Sequence, residues 1–313
     1  MNGRVHLVTG AGRGIGRAVA AYLLDAGDSV ALLDVGCHVD GSGVDATVAE
    51  TAARELGGDA LAITADVSDA DAVDDAIAAV VDRWGRIDGV LNIAAVLRTG
   101  NVLTATDDDW NTTLDVNLRG SMLTSRAAIR HWTSTDAPGR IVNVTSTAGT
   151  EGNAEMFAYS VSKAGLIGLT LATSHAVACR GILVNAIAPL AATRMAIRGL
   201  GDEALAERAR TGAWPDVAAR GLTPERVAPV ASYLVSEVLT ATGRVFTVGG
   251  GMAGRLPVPA PEVTVEIDDS ADAAAVEALL HATIGAGVTP SRWQAESLVL
   301  DRPEFPVEEL DRT

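Results

Sequence analysis

The chain has 313 residues, 48% of them hydrophobic, and a formal net charge of -16, which argues against binding to nucleic acid or to an anionic membrane. The two cysteines, Cys37 and Cys179, are too few for a disulfide framework, and no Cys/His spacing predicts a metal site. No apolar run reaches the roughly 18 to 20 residues of a transmembrane helix, so we expect a cytoplasmic protein.

The first predicted elements are a buried strand near 4–9 and a helix near 14–26. Gly10, Gly14 and Gly16 punctuate the turn between them. Glycines let the backbone approach a pyrophosphate, and the N-terminus of a helix favours phosphate groups. A lone glycine pattern can equally be an ordinary turn. Its place between a strand and a helix favours a dinucleotide site.

The second predicted strand, near 29–34, ends in Asp34. An acid at this position suits the two ribose hydroxyls of an adenosine and would repel a 2′-phosphate. Arg13, inside the glycine turn, is a cation that could accept such a phosphate instead. We therefore predict NAD as the cofactor and keep NADP as the less favoured alternative.

Two further strand ends fit the same site. A strand near 60–65 leads into Asp66 and Val67, where an acid can contact an adenine amino group. A strand near 89–93 carries Asn92 and is followed by Ala94. Because parallel strands end on the same edge of a sheet, we expect these residues to line one cleft.

Strands and helices alternate without a break along most of the chain. Further helices are predicted near 45–56, 69–84, 107–132, 157–180 and 224–236, and further strands near 140–146, 182–188 and 244–248. This alternation predicts an α/β fold, a single Rossmann-type doubly wound sheet of about seven parallel strands with helices on both faces. Residues 1–253 would form this domain. A proline-rich change in composition marks a C-terminal extension, 254–313, which is predicted to pack on the body or on a partner subunit.

Three residues predict acid/base chemistry. Tyr159 and Lys163 are four apart and share one face of a helix, so an ammonium lies within reach of a phenol. A free phenol has a pKa near ~10, and a nearby cation lowers it. Ser146 ends a strand, where its hydroxyl can bind a substrate oxygen. Tyr and Lys at this spacing are common, however, and alone they would be incidental.

Taken together, these residues resemble the short-chain dehydrogenase/reductase family, over roughly residues 3 to 252. TGAGRGIG, which begins at Thr9, matches the family's TGxxxGxG turn, and NIAA, which begins at Asn92, corresponds to its NNAG. Ser146, Tyr159 and Lys163 match its catalytic serine and YxxxK pair.

The resemblance implies a role for each residue. Tyr159 would be the general base in oxidation and the acid in reduction, and Ser146 would orient the substrate oxygen. Lys163 would bind the nicotinamide ribose and lower the pKa of the tyrosine, and Asn117 would hold a water that links Lys163 to solvent. The implied cofactor contacts are Gly10, Arg13, Gly14, Ile15, Gly16, Asp34, Asp66, Val67, Asn92, Ala94, Tyr159, Lys163, Pro189 and Thr193.

The chain departs from the family pattern at a few positions. Ile93 replaces an asparagine, Ala95 a glycine, and Leu190 the glycine of a Pro-Gly pair. The chain also has an insertion after Asp34, followed in order by VLRTGNVLTATDDDW, NLRGSMLTSRAA, IAPLAATRM and FTVGGGMAGRL. This pattern resembles the (3R)-hydroxyacyl-CoA dehydrogenase portion of multifunctional β-oxidation enzymes, also described as 17β-hydroxysteroid dehydrogenases.

The expected substrate is a secondary alcohol or ketone, with a (3R)-hydroxyacyl-CoA or a steroid-type alcohol as the first candidate. Another ketone, such as a polyketide or a small carbonyl, is the alternative within this class. A non-catalytic NAD-binding protein is the alternative outside it, although such proteins usually lack the serine, tyrosine or lysine.

Residues 189–223 are predicted to lie over the nicotinamide pocket as a lid. An ordinary helical flap with solvated charges is the alternative. The helices that begin at Asp107 and Phe157 are candidate subunit interfaces, and we expect a homodimer or homotetramer. The lid would offer an apolar side and a cluster of cations for a CoA ester: Met195, Ile197, Leu200, Leu205 and Trp214, and Arg194, Arg198, Arg208 and Arg210.

Overall fold

One eight-stranded sheet organises the computed structural model, which describes residues 3–198 and 221–256, without the side chains of 197 and 198. The strands are β1 Val5–Thr9, β2 Ser29–Leu33, β3 Ala60–Ile63, β4 Gly89–Asn92, β5 Gly139–Val144, β6 Ile182–Leu190, β7 Val245–Gly249 and β8 Met252–Leu256. Their order is β3-β2-β1-β4-β5-β6-β7-β8. The predicted doubly wound sheet of seven parallel strands is confirmed, and β8 adds an antiparallel strand at its edge.

Helices cover both faces of this sheet. They are α1 Gly14–Asp25, α2 Thr47–Leu56, α3 Ala70–Trp84, α4 Asp107–Leu114, α5 Gly120–Thr135, α6 Ala148–Glu151, α7 Phe157–Val177, α8 Arg194–Arg198 and α9 Ala228–Leu234. Adjacent residues of a strand point to opposite faces, so Leu7 joins one core and Val8 the other. The first core includes side chains of α3 and α5, and the second includes side chains of α1 and α9.

The strand order reverses beside β1, which pairs with β2 on one side and β4 on the other. In open α/β sheets the crevice at such a point, outside the carboxyl ends of the strands, is where ligands bind. The glycine turn follows β1, and Asp34 follows β2 directly. The topology therefore brings the predicted cofactor residues to one edge.

The long helix predicted near 107–132 is not regular. Thr106 caps α4 in a capping box with Asp109, and Asp107 and Asp108 add negative charge to the first turn, where the helix dipole favours it. After α4 the chain makes a five-residue π-helix, Asp115–Arg119, before α5 begins. The Ser121 hydroxyl donates to the carbonyl oxygen of Asn117 at 2.9 Å within this segment. Single π turns inside α-helices occur frequently at functional sites.

The chain reverses after β7 to form β8. Gly250 and Gly251, with φ of 57° and 79°, make the two-residue turn that such a tight hairpin requires. The chain divides into two units, Met1–Pro257 and Val258–Thr313, and the second lies outside the described residues. β8 runs across the predicted boundary at residue 253, and the packing of the extension stays a prediction.

Candidate active site

The turn after β1 holds the backbone of α1 against the end of β4. Gly10 has a φ of 65°, and a side chain there would put its Cβ 2.8 Å from the Cα of Ala94. At Gly16 a Cβ would lie 2.2 Å from the carbonyl oxygen of Gly10. Neither position has room for a side chain, so the backbone of this turn stays open to a close ligand.

The N-terminus of α1 suits an anion. Its N-cap residue, Arg13, makes no side-chain hydrogen bond to the first turn, and Gly14 is exposed. The first amide groups of a helix lack intrahelical acceptors and carry the positive end of its dipole. The first turn, with Ile15 and Gly16, therefore fits the pyrophosphate of a dinucleotide.

Asp34 is held at the sheet edge by two backbone amides. The amide of Gly12 donates to Oδ2 at 2.9 Å, and that of Gly36 donates to Oδ1 at 2.7 Å. The carboxylate is thus fixed beside the glycine turn, where it can accept from ribose hydroxyls. Arg13, the competing cation, donates from Nη1 to the carbonyl oxygen of Cys37 at 3.1 Å. One of its nitrogens is therefore engaged by the protein itself.

Asp66 and Val67 follow β3 on the same edge. Asp66 Oδ1 accepts from both the amide and the hydroxyl of Ser68, each at 2.8 Å. Val67 is buried against Gly120, where a Cβ would lie 2.7 Å from Val67 Cγ2. Their predicted contacts with an adenine stay predictions.

Asn92 differs from the expectation. Its side chain is buried, and its amide nitrogen donates to Ser125 Oγ at 3.0 Å and to Asn143 Oδ1 at 2.9 Å. Asn143 in turn donates to Thr170 Oγ1 at 2.9 Å. This side chain joins β4 to α5 and β5 beneath the sheet edge. Any contact of Asn92 with the cofactor would therefore use its backbone. The spacing of the motif could not show that the side chain is buried.

Ser146 and Tyr159 are brought together by the end of β5 and the first turn of α7. Their side chains lie close enough for the serine hydroxyl to affect the pKa of the phenol, and Ser146 Oγ accepts from the amide of Ala148 at 3.2 Å. The Tyr159 side chain is half-buried. The predicted serine and tyrosine therefore lie next to each other, and their binding to one substrate oxygen stays a prediction.

Lys163 lies one turn later on α7 and is 2% exposed. Its Nζ donates to the carbonyl oxygen of Val144 at 2.7 Å and stands 5.4 Å from the centroid of the Tyr159 ring. It is also the only lysine in the sequence. An amine fixed behind the phenol can serve both a ribose hydroxyl and a proton relay.

The pKa values of the pair follow from burial. Burial raises the pKa of Tyr159 to about 12, although the Ser146 hydroxyl acts in the opposite direction. Burial lowers the pKa of Lys163 to about 7. Burial thus outweighs any lowering of the tyrosine pKa in the protein alone, and the predicted effect of Lys163 on that pKa stays a prediction. Desolvation dominates, and the amine is turned to the Val144 carbonyl.

Asn117 occupies the middle of the π-helix and is fully buried. Its Oδ1 accepts from the amide of Val96 at 2.7 Å, and its Nδ2 donates to the carbonyl oxygen of Val96 at 3.0 Å and to Ser162 Oγ at 3.1 Å. Ser162 donates to the carbonyl oxygen of Tyr159 at 2.7 Å. Asn117 is therefore tied to the catalytic helix through Ser162, a residue that the sequence patterns did not single out. Ser162 could have been noticed from its position, because a residue three after Tyr159 lies close to it on the same helix.

The end of β6 closes the other side of the cleft. Pro189 and Leu190 extend β6 beyond its predicted end and pair with Val248 and Gly249. The side chain of Leu190 fits because its neighbour is a glycine. A Cβ on Gly249 would lie 2.6 Å from the Cβ of Leu190.

Thr193 lies beside the glycine turn, 3.5 Å from the position of a Cβ on Gly14. Its hydroxyl accepts from the amide of Ala196 at 3.2 Å, at the start of α8. Arg194 is exposed, and most of the predicted lid, 199–220, lies outside the described residues. Its apolar side and its other arginines stay predictions.

The described residues offer neither a metal site nor a membrane-spanning helix. Within residues 3–198 and 221–256, no group of three or more His, Cys, Asp or Glu residues is arranged to hold a metal ion. No helix in those ranges has both the length and the apolar character to cross a membrane.

Comparison with known proteins agrees with this geometry. A short chain dehydrogenase model matches residues 4–204. A 3-oxoacyl-(acyl-carrier-protein) reductase from Synechocystis sp. is 37% identical over 258 residues, which cover 80% of this chain and 98% of that protein. A peroxisomal hydratase-dehydrogenase-epimerase from Neurospora crassa is 33% identical over 82% of this chain, but the match covers 27% of that longer protein.

A solved structure gives the same result. The crystal structure of a short chain dehydrogenase from Mycobacterium avium superposes with a TM-score of 0.76 at 30% identity, over 92% of this chain and 97% of that one. The chain belongs to the short chain dehydrogenase family of oxidoreductases, which act with a nicotinamide cofactor on alcohols and ketones.

Proposed function

We propose that the protein is an NAD-dependent dehydrogenase that interconverts a secondary alcohol and a ketone. The observation that carries this proposal is the juxtaposition of Ser146 and Tyr159, with Lys163 buried behind the phenol ring. When bound, the nicotinamide accepts or supplies the hydride. The protein has to hold the substrate oxygen and move its proton.

Each residue has one task in this reaction. The Ser146 hydroxyl fixes the substrate oxygen next to the Tyr159 phenol. In the oxidative direction Tyr159 passes its own proton onward by way of Lys163 and accepts the hydroxyl proton of the substrate, and in the reductive direction it donates a proton to the substrate oxygen. Lys163 holds the ribose and passes protons onward. Asn117 holds the water that links Lys163 to solvent, and its side chain fixes the catalytic helix through Ser162. The first turn of α1 and Asp34 would hold the pyrophosphate and the adenosine ribose.

The choice of NAD rests on the surroundings of Asp34. Its carboxylate is fixed by two amides and cannot swing away from a 2′-phosphate, which it would repel. Arg13 is partly engaged by Cys37. The pKa of Arg194 is lowered first by burial and next by repulsion from Arg13, and Asp34 acts in the opposite direction. Arg13 and Arg194 are thus the two cations near the ribose site, and the negative charge of Asp34 offsets them.

The substrate we propose is a 3-hydroxyacyl thioester, first of all a (3R)-hydroxyacyl-CoA, and the second candidate is a steroid-type alcohol. The support is that relatives include a 3-oxoacyl-(acyl-carrier-protein) reductase and a peroxisomal hydratase-dehydrogenase-epimerase. A homodimer or homotetramer in the cytoplasm stays a prediction from the sequence.

NADH formation with a matched substrate panel tests this function. The panel holds (3R)- and (3S)-hydroxyacyl-CoA esters, steroid alcohols and simple secondary alcohols, each with NAD and with NADP. We expect turnover of the (3R) esters with NAD. Turnover of other alcohols alone would contradict the thioester assignment but leave the reaction type. A failure of every alcohol and ketone would contradict the reaction itself.

Replacing Asp34 with serine should reverse part of the cofactor preference. The variant loses hydrogen bonds to the ribose and the repulsion of a 2′-phosphate, while Arg13 and Arg194 remain. A hydrogen bond to a charged group contributes about 1.5–3 kcal/mol, so the NAD:NADP ratio of kcat/KM should fall about 10- to 100-fold. Asp75→Ser, on the exposed face of α3, is the matched control. An unchanged ratio in Asp34→Ser would refute this role.

A further inference from the structure

The inserted loop Gly36–Asp45, the 36–45 loop, is ordered by its own backbone. His38 and Ser42 are joined by an amide–carbonyl hydrogen bond of 2.8 Å, and the amide of Asp45 donates to the carbonyl oxygen of Val35 at 3.2 Å. Its glycines at 36, 41 and 43 have φ of 78°, 85° and 74°, which favour glycine. The loop is therefore a defined structure with a specific shape.

One end of this loop belongs to the proposed cofactor site. Its first residue, Gly36, donates to Asp34, and the carbonyl oxygen of Cys37 accepts from Arg13. Any ligand that contacts Asp34 and Arg13 therefore contacts groups that hold the start of the loop.

The middle of the loop contacts the segment after β4. The amide of Leu97 donates to the carbonyl oxygen of Val39 at 2.7 Å. A Cβ on Gly41 would lie 3.3 Å from side-chain atoms of both Val96 and Thr112. The loop thus packs on the residues that precede and follow the start of α4.

Arg98 joins these parts. Its Nε donates to the carbonyl oxygen of Asp40 at 2.8 Å, and its Nη1 pairs with Asp108 and, at 3.5 Å, with Asp109. The Arg98 side chain is 19% exposed, whereas that of Asp108 is 80% exposed. One guanidinium therefore links the 36–45 loop to the first turn of α4, the helix that leads into the π segment.

The same segment holds Asn117. Val96, two residues before Arg98, exchanges hydrogen bonds with the Asn117 side chain through its amide and its carbonyl. Movement of the 96–98 backbone would therefore shift Asn117, and through Ser162 the start of the catalytic helix. An unbroken series of contacts runs from Arg13 and Asp34 to the catalytic residues.

We infer that Arg98 is a positioning residue that couples the 36–45 loop, on the adenosine side of the cleft, to Asn117 on the catalytic side. The inference rests on the proposed function for the meaning of the two sides. Arg98 touches none of the reacting groups. It keeps the backbone of Val96 where Asn117 needs it, through its hydrogen bond to the same loop that borders Asp34.

The test compares Arg98→Gln with Arg83→Gln, which removes an exposed arginine paired with Asp59 on the surface. Hydrogen exchange of the full-length protein, with and without NAD, and steady-state kinetics are measured on both. In Arg98→Gln we expect at least tenfold faster exchange in the 36–45 loop and also in the π-helix, 115–119. We expect kcat to fall at least tenfold, with less than a threefold change in KM for the alcohol. Arg83→Gln should match the wild type in all of these.

Other outcomes overturn the inference. If exchange rises only in the 36–45 loop and only KM for NAD changes, Arg98 stabilises that loop alone, and the inferred coupling to Asn117 is wrong. If neither region responds, the arginine has no positioning role. The exchange readout does not depend on turnover, so failure of the substrate panel would reject the proposed function while this comparison still decides the role of Arg98.

Discussion

Replacing Tyr159 with phenylalanine should lower kcat by two to four orders of magnitude, because the variant lacks the group that exchanges a proton with the substrate oxygen. General acid–base catalysis by a positioned side chain contributes about 10²- to 10⁴-fold. The ring, its packing and the contacts of Lys163 remain, so NAD should bind as it does to the wild type. Initial rates of NADH formation and calorimetric titration with NAD measure the two effects.

Tyr233→Phe is the control for this variant, because that tyrosine is 53% exposed on α9. It should retain wild-type turnover. Near-full activity in Tyr159→Phe would remove Tyr159 from the mechanism. Loss of NAD binding together with turnover would show instead that the phenol supports the cofactor site, and that the kinetic effect is not a missing proton.

Lys163→Met should abolish most turnover, by about 10²-fold or more, and change the pH dependence of folding. Burial lowers the pKa of this amine to about 7. In the unfolded chain a lysine titrates near 10.4, so between about pH 7 and pH 10 the unfolded state binds more protons. The free energy of unfolding then rises with pH across this window. A shift of this size corresponds to about 4–5 kcal/mol.

The methionine variant lacks that slope. Relative to Lys163→Met, the wild type should therefore gain stability as the pH rises from 7 to 10 and show no further change from this group below 7. Urea unfolding at several pH values measures the difference between the two proteins. Equal slopes would mean that the amine is not desolvated. Because Lys163 is the only lysine, nitrogen NMR of lysine-labelled protein gives its pKa directly.

Most of the fold follows from local pattern. Short apolar runs and glycine turns predict all seven parallel strands, and parallel connectivity fixes the edge where Asp34 and the glycine turn meet. β8 was missed because Gly250 and Gly251 resemble a linker, whereas together they form a hairpin turn. The sequence does not predict the π segment, because one extra residue hardly changes the hydrophobic periodicity of so short a stretch of helix.

The sequence predicts the catalytic residues of the candidate site but not their surroundings. Motif spacing brings Ser146, Tyr159 and Lys163 together, since all three lie on one strand end and one helix. It could not give the burial that sets the pKa of Lys163, which depends on distant segments. Nor could it show that the side chain of Asn92 faces the core, or that Arg98 spans the 36–45 loop and α4. Those facts arise from contacts between residues far apart in the chain.

The burial of Lys163 also makes the protein unusual toward amine-directed reagents. Acylating compounds meet a single lysine amine in the whole chain, and in the folded state that amine is 2% exposed and bonded to the Val144 carbonyl. Its labelling rate therefore reports how often the cleft opens enough to admit a reagent. A bound dinucleotide that contacts the amine would slow that rate. Mass spectrometry of one modified peptide would follow opening and ligand occupancy together, with no background from surface lysines.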